Sequence, residues 1–272
     1  MERREYLLGD RASAGERTIE AAGRNRALDI GRNGAAIALM WVLYSLARSF
    51  SQATDSVALA NARAVRAFQE RVGIGIEAEL QQLVLTEPVA LFANSYYLLH
   101  FPVTIALVVI AFLRSRDHVF PILRDGLVVM TVAGLAVYVL FPLAPPRLLN
   151  GVVDASVVYG PNPYSLPGTG AANQLAAMPS MHVAWAVALS WVLFRVRSRL
   201  WLGIMGIVHP LITVFIVLVT GHHFLVDVLA GAFVGIAAIA AVSNVHSRAV
   251  VGPEGASANG GTPEAFHTLS TG

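Results

Sequence analysis

The chain has 272 residues, of which 56% are hydrophobic and only 13% charged, with a net charge of +2 and no cysteine. Soluble domains carry roughly 25% charged residues, so this composition indicates that lipid surrounds much of the chain. The lack of cysteine excludes a disulfide framework, a thiol nucleophile and a thiolate metal site. No nucleic-acid-binding motif accompanies the small positive charge, and nucleic acid is therefore not an expected partner.

The chain begins with polar, arginine-rich residues 1–33, which we interpret as a cytoplasmic tail because they lack the pattern of a secretory signal. Six apolar stretches follow, several of them near the lower end of the roughly 17 to 25 residues that cross a bilayer. They are Gly34 to Phe50, Pro88 to Leu113, Gly126 to Pro142, Pro179 to Phe194, Leu200 to Thr220 and Phe224 to Val242. We predict an all-α, polytopic membrane bundle with six transmembrane helices over residues 34–243, followed by a disordered cytoplasmic tail over residues 244–272.

Arginine distribution predicts the orientation, because positively charged loops stay cytoplasmic. Arginines cluster before the first span, between the second and third, and between the fourth and fifth. The outer face then receives Ser51 to Glu87, Leu143 to Met178, and the turn Thr220 to His223. Apolar positions at helical spacing on both sides of Gly73 predict additional interfacial helices in the first of these segments. We expect a multi-pass protein of the plasma membrane whose polar residues gather on the extracytoplasmic face.

One candidate pair stands at the start of the sixth span. His223 and Asp227 are four residues apart, which puts them on one helix face and lets the carboxylate hold one imidazole nitrogen. The other nitrogen is then free to attack a substrate, whereas His222 is rotated off that face. A buried pair that merely links helices is the alternative for these two residues alone.

Two further outer segments carry residues suited to phosphate. Pro179 and Ser180 resemble a helix start, where free backbone amides and the serine hydroxyl bind an anion. His182 could then protonate a leaving oxygen, and Arg147, which follows two prolines, could grip phosphate oxygens. An ordinary serine cap, an interfacial histidine and an arginine that binds headgroups nonspecifically are the separate alternatives. The convergence of all these residues on one face favours a phosphate-handling site.

The second span contains four polar residues, Asn94, Tyr96, Tyr97 and His100, among apolar neighbours. Tyr96 and His100 share a face and could line a substrate pocket or form hydrogen bonds between helices. We favour the structural interpretation for both, and also for His209 in the fifth span, where Pro210 predicts a kink.

The segments Pro179-Ser-Met-His182 and His223-Phe-Leu-Val-Asp227 resemble the two motifs of the type 2 phosphatidic acid phosphatase superfamily. The resemblance implies a phosphohistidine on His223, oriented by Asp227, with His182 acting first as acid and then activating the acceptor. It implies no metal and no cofactor. The phosphate-binding residues that it implies are Arg147, Ser180, Gly221 and His222.

Leu140 and Val217 stand where the lipid phosphatases carry two phosphate-binding cations. The segments around Arg147, His182 and His223 look more like the inositol phosphorylceramide synthase branch, whose members transfer phosphoinositol between lipids. We therefore expect an enzyme that hydrolyses or transfers a phosphate group of a phosphorylated lipid in the bilayer. The alternatives are a metal-dependent membrane hydrolase, with His182, His222, His223 and Asp227 as ligands, and a non-enzymatic lipid transporter or scaffold.

Overall fold

The computed structural model describes residues 55–114, 119–165, 174–196 and 200–250, together with Gly31, Gly34 and Ala35. The α-helices with both ends inside these ranges are α1 (Asp55–Val72), α2 (Glu77–Val84), α3 (Glu87–Arg114), α4 (Val119–Leu140), α5 (Ala155–Tyr159), α6 (Met181–Arg195), α7 (Leu200–Val219) and α8 (Leu225–Val250). A short 3-10 helix over Pro146–Leu148 lies between α4 and α5. Apart from an isolated bridge between Leu143 and Ala176, the regular structure of the described residues is helical. This confirms the all-α prediction for this part of the chain.

Four of the described helices are long and apolar enough to cross a bilayer: α3, α4, α7 and α8. They correspond to the second, third, fifth and sixth predicted spans. The fourth predicted span is α6, an apolar helix of 15 residues, which is shorter than the roughly 17 residues a span requires. The first predicted span, Gly34 to Phe50, lies outside the described residues apart from its first two. The described residues therefore contain four spanning helices, and the predicted number of six is not confirmed.

The centre of the bundle is α6, which packs against α4, α7 and α8. Most of its side chains are buried, as expected of a helix that is apolar on nearly every face. Leu127 and Met130 of α4, Trp185 and Ala188 of α6 and Ile239 of α8 belong to the core that joins three of these helices. The short central helix is thus shielded by its longer neighbours.

Two glycines allow α8 to approach α6 closely. A Cβ atom at Gly231 would collide with the backbone carbonyl of Ser180, and one at Gly235 would lie 2.8 Å from the carbonyl oxygen of Ala184. Small residues four apart let helix backbones meet in this way. As a result, the beginnings of α6 and α8 adjoin, and the Ser180 amide donates a hydrogen bond of 3.0 Å to the Asp227 carbonyl.

The two helices α1 and α2 cover the end of the bundle where α6 and α8 begin. They are separated at Gly73, whose φ of +75° is a conformation that glycine adopts without steric cost. Ala58 and Ala62 of α1 pack in an apolar cluster on residues of the bundle, namely Leu143, Ala144, Ala177 and Phe224. The additional helices predicted in the segment Ser51 to Glu87 are therefore present and form a cap on the bundle.

The last helix is longer than predicted. Because α8 continues to Val250, residues 244–250 are helical, whereas the sequence assigned them to a disordered tail. Residues 251–272 lie outside the described part of the chain, as does nearly all of the predicted N-terminal tail. Large apolar side chains are exposed on the spanning helices, for example Val103, Val132, Leu211 and Phe233. Such a surface suits contact with lipid tails.

Candidate active site

The start of α6 carries the first motif. Ser180 is the N-cap residue, as its position before the helix predicted, but its side chain makes no capping hydrogen bond. The Ser180 hydroxyl is fully buried and has no hydrogen-bond partner among the described residues. A buried hydroxyl without a partner is unfavourable, so this position is suited to a ligand that accepts a hydrogen bond.

The second motif lies in the turn before α8. His223 precedes the helix, which begins at Leu225, so the prediction that it shares a helix face with Asp227 is wrong. The two residues are nevertheless close, with 3.6 Å between His223 Nδ1 and Asp227 Oδ2. The direct partner of Nδ1 is the Ala177 carbonyl oxygen at 2.8 Å. Because a carbonyl can only accept, this bond places the proton of a neutral ring on Nδ1 and leaves the lone pair on Nε2.

Asp227 has a second role at the same helix start. Its Oδ2 accepts a hydrogen bond of 2.8 Å from the Phe224 amide, the reciprocal half of a capping box. The Asp227 side chain is fully buried. The carboxylate therefore both stabilises the beginning of α8 and lies beside the His223 ring.

Two residues of the cap, which no sequence pattern predicted, complete the hydrogen bonding at this helix start. Glu77 Oε1 accepts from the Leu225 amide at 2.7 Å, and Gln69 Oε1 accepts from the Val226 amide at 2.8 Å. Gln69 also donates to Glu77 at 2.8 Å. Both side chains are almost completely buried. A Gln and a Glu in an otherwise amphipathic segment gave no indication of this role.

Arg147 is held in the loop after α4. Its Nη1 donates to Asp154 Oδ2 at 2.7 Å and its Nη2 to Gln174 Oε1 at 3.1 Å, while Tyr164 covers the guanidinium at 4.6 Å. The Nε atom is buried without a hydrogen-bond partner among the described residues. Burial alone would lower the pKa of Arg147, but Tyr164 and Asp154 raise the pKa above its usual value. The cation is thus permanent, and two of its five N–H donors bind the side chains of Asp154 and Gln174.

The predicted phosphate-binding residue Gly221 joins the Arg147 loop to the second motif. Its carbonyl accepts a hydrogen bond of 2.9 Å from the Arg147 amide. Its φ of +73° disfavours any other residue, and a Cβ atom at this position would lie only 3.1 Å from the Arg147 Cβ, so there is no room for a side chain. Gly221 therefore brings Arg147 and His222 together through its backbone.

Tyr97 separates two of the predicted histidines. Its ring stacks on His182 and on His222, each with a centroid distance of 4.0 Å, so the two imidazoles lie on opposite faces of the phenol. The ring centroids of His182 and His223 are 6.0 Å apart. Burial, with Arg147 and His223 nearby, lowers the pKa of His222 well below its usual value. Tyr97 is one of the polar residues of its span, but no sequence pattern predicted its place in the site.

Tyr96 and His100 lie about one helical turn apart on α3, with their ring centroids 5.8 Å apart. Tyr96 forms a hydrogen bond of 2.7 Å with Thr213 of α7, which agrees with the interhelical role that we favoured. The His100 ring lies 5.2 Å from that of His182 and stacks at 5.6 Å on that of His209. His100 is thus a direct neighbour of a predicted catalytic residue.

The structure brings His182, His223, Asp227 and Ser180 together where α6 and α8 begin, with Arg147 and Gly221 in the adjoining loops. Within the described ranges, no group of three or more His, Asp or Glu side chains is placed to hold a metal ion. The helical structure of the described residues, with four helices long and apolar enough to cross a bilayer, indicates a membrane protein. Its polar centre contains paired histidines, a carboxylate and an arginine, which are groups suited to phosphoryl chemistry.

A comparison with protein-family models matches residues 63–241 to the PAP2 superfamily, a stretch that includes every residue of this polar centre. The match covers more than half of the chain, which therefore belongs to the PAP2 superfamily. Family membership and the apolar helices fit a membrane lipid phosphatase. No curated protein and no solved structure shows significant similarity to the chain. The inositol phosphorylceramide synthase branch stays a prediction.

Proposed function

We propose that the protein is a membrane phosphatase or phosphotransferase that takes a phosphate-containing headgroup from a lipid through a phosphohistidine intermediate. The observation that carries this proposal is the arrangement of His223. Its Nδ1 is bound to the Ala177 carbonyl at 2.8 Å beside Asp227, and its ring faces that of His182 at 6.0 Å. A fixed imidazole with a free Nε2 is a nucleophile, and a second imidazole beside it is a general acid.

The first displacement follows from these positions. The Nε2 lone pair of His223 attacks phosphorus, the bond from phosphorus to the lipid oxygen breaks, and His182 gives its proton to that oxygen. The Ser180 hydroxyl, which has no partner among the described residues, donates to a phosphate oxygen. Arg147 stabilises the developing negative charge.

The second displacement regenerates the enzyme. An acceptor hydroxyl loses its proton to His182, its oxygen attacks phosphorus, and the bond between phosphorus and His223 breaks. With water as acceptor the reaction is hydrolysis, and with a lipid alcohol it is transfer. The resemblance of the motif segments to the inositol phosphorylceramide synthase branch favours phosphoinositol as the transferred group. Gly221 and His222 complete the phosphate-binding loop in this proposal.

The distribution of arginines supports an extracytoplasmic position for the site. Arg195 lies at the end of α6 that is far from Ser180. Arg114 is the last residue of α3, and Arg124 lies near the start of α4, next to Asp125, which contacts His246 near the far end of α8. Because arginine-rich ends stay in the cytoplasm, the end with His223 and His182 faces outward.

Trapping the intermediate tests the proposal. The full-length protein in lipid nanodiscs is incubated with phosphatidylinositol or phosphatidic acid, each carrying labelled phosphorus, and quenched in alkali, which preserves phosphohistidine. We expect label on wild-type protein, no label on His223→Ala, and activity that persists in EDTA. Activity that is lost in EDTA and restored by zinc would instead support a metal-dependent hydrolase. Full turnover by His223→Ala would contradict the phosphohistidine.

A further inference from the structure

His100 is a buried polar group that the proposed displacement steps do not use. The residue is only 4% exposed, and neither ring nitrogen makes a well-formed hydrogen bond within the described part of the chain. The backbone of His182 is a close polar neighbour. A buried imidazole without a well-formed hydrogen bond is costly, and within a spanning helix such a group is by default a candidate for function.

An interhelical role explains Tyr96 but does not explain His100. The Tyr96 hydroxyl binds Thr213 across the interface between α3 and α7, and this bond links the helices. Among the described residues, neither nitrogen of His100 makes such a bond, and neither does Nδ1 of the neighbouring His209. Residues that only hold two helices together would be expected to pair with each other.

The position of His100 connects the catalytic centre with the lipid-facing side of the bundle. On one side its ring lies 5.2 Å from the ring of His182, whose Nε2 is also without a partner among the described residues. On the other side it stacks on His209, which is only partly buried. The α7 residues around His209 include Ile207 and Leu211, which are exposed. The imidazoles of His182, His100 and His209 therefore form a row from the proposed acid to a partly exposed position on α7.

We propose that His100 and His209 form the subsite of a lipid alcohol, namely the alcohol that leaves in the first displacement and the one that accepts the headgroup in the second. This inference rests on the proposed function. The hydroxyl oxygen is at His182, which gives it a proton in the first step and removes one in the second. A neutral imidazole has one donor and one acceptor, so His100 binds a second polar group next to that hydroxyl. Diacylglycerol, with an ester, and ceramide, with an amide, both have this chemistry.

The experiment measures how the phosphohistidine is divided between lipid alcohol and water. The full-length protein in nanodiscs receives phosphatidylinositol with a labelled headgroup and one of three acceptors: a diacylglycerol whose acyl chains differ from those of the donor lipid, ceramide or a simple long-chain alcohol. The different acyl chains distinguish the new phosphatidylinositol from the substrate. The ratio of new phospholipid to released headgroup is compared between wild type, His100→Leu and His100→Gln. The control is His246→Leu, because His246 lies far along α8 from the site. Its Nδ1 is 3.0 Å from the Val242 carbonyl oxygen, and its Nε2 is 3.4 Å from Asp125 Oδ2.

A hydrogen-bonding site discriminates strongly against a partner that lacks the bonding group, so we expect His100→Leu to lower the transfer ratio about tenfold or more with diacylglycerol or ceramide. His100→Gln, which keeps a donor and an acceptor, is expected to retain part of the ratio, and His246→Leu all of it. Which of the two acceptors responds identifies the ester or the amide as the bound group. A decrease of less than about threefold in the transfer ratio of His100→Leu, or an equal decrease with the simple alcohol, would contradict the proposed subsite.

A direct binding measurement separates this inference from the proposed function. A photoreactive diacylglycerol and a photoreactive ceramide are crosslinked to wild type, His100→Leu and His246→Leu, and the labelled peptides are identified. Labelling of α3 and α7 that His100→Leu abolishes supports the subsite even if no phosphohistidine forms. Equal labelling of wild type and His100→Leu contradicts the subsite even if the enzyme hydrolyses lipids. Circular dichroism and thermal melting of each variant show whether it is folded.

Discussion

Two adjoining helices begin at the candidate site, and they differ in how their first turns are hydrogen-bonded. At the start of α8, which we call the closed start, the amides of Phe224, Leu225 and Val226 donate to side chains of Asp227, Glu77 and Gln69. At the start of α6, the open start, Ser180 provides no capping hydrogen bond and its hydroxyl has no partner among the described residues. Unpaired amides at a helix start bind anions.

The difference suggests that the closed start positions His223, whereas the open start binds the phosphate of the substrate. Protein side chains accept the hydrogen bonds of the first amides at the closed start, so a phosphate could bind there only if these bonds were broken. The same bonds hold the turn that carries His223 in place. The open start leaves its donors to the substrate. The proposed nucleophile thus belongs to a preformed structure, whereas the phosphate completes the hydrogen bonding of the neighbouring helix.

The largest expected effect concerns the charge at the closed start. Asp227→Asn keeps an oxygen that can accept the Phe224 amide, but it removes the negative charge 3.6 Å from His223 Nδ1. We expect kcat to fall by about 10²-fold to 10⁴-fold, because the charge stabilises the ring when it gains a bond to phosphorus. Steady-state release of headgroup measures this loss, and thermal melting should show a nearly unchanged midpoint. A variant that unfolds instead would mean that Asp227 serves chiefly as a cap.

Glu77 tests whether the cap positions the nucleophile from a distance. Glu77→Leu leaves the Leu225 amide and the Gln69 side chain without their shared acceptor, which should lower the free energy of unfolding by about 1–3 kcal/mol. We also expect kcat to fall about tenfold, since a small displacement of a reacting group has an effect of at least this size. Glu77→Gln keeps an acceptor oxygen and should be milder in both measurements.

The exposed Glu79 of the same helix provides the matched control. Glu79→Leu should leave both kcat and the melting midpoint close to those of the wild type. Equal effects of Glu77→Leu and Glu79→Leu would show that α2 contributes only general stability and that its hydrogen bonds to α8 do not position His223.

Ser180→Ala examines the open start. The hydroxyl is buried and makes no hydrogen bond within the described structure, so its removal should not lower the free energy of unfolding and is expected to raise it by up to about 1–3 kcal/mol. Catalysis should nevertheless decrease about tenfold in kcat/KM, because the substrate loses one donor. Ser190→Ala in the same helix is the control, since the Ser190 hydroxyl bonds to the Ala186 carbonyl away from the motif. Unchanged kcat/KM for Ser180→Ala would indicate that the open start does not bind phosphate.

Local sequence patterns predicted the positions of several residues at these two helix starts. The Pro179 and Ser180 pair indicated where α6 begins, and the spacing of His223 and Asp227 indicated that they would be neighbours. The direct partner of His223, the Ala177 carbonyl, follows from the packing of the loop before α6 on the turn before α8. Likewise Glu77 is 148 residues from Leu225 along the chain, and no local pattern relates them.

Side-chain orientation was the other feature that the sequence left undetermined. Tyr96 and Tyr97 are consecutive, and a rotation of about 100° per residue sends them to different neighbours. Only the packing of α3 against α6 and α7 shows that Tyr97 stacks on His182 while Tyr96 binds Thr213. The fourth predicted span is affected for a related reason, because α6 is apolar enough to resemble a span but is short and buried at the centre of the bundle.

The smallest expected effect is the pH dependence of the turn that leads into the closed start. Burial lowers the pKa of His222 in the folded protein, whereas in the unfolded chain the value is about 6.5. Below that value the unfolded chain binds a proton that the folded protein does not, so stability falls as the pH decreases and is regained toward neutral pH. His222→Gln cannot titrate, and we expect its melting midpoint to decline less between pH 7 and pH 5 than that of the wild type. Since other histidines contribute to the same decline, the slope should diminish without vanishing. An unchanged slope would mean that His222 is protonated in the folded protein as it is in the unfolded chain. The turn would then carry a second positive charge beside Arg147, and the His222 imidazole could bind phosphate directly.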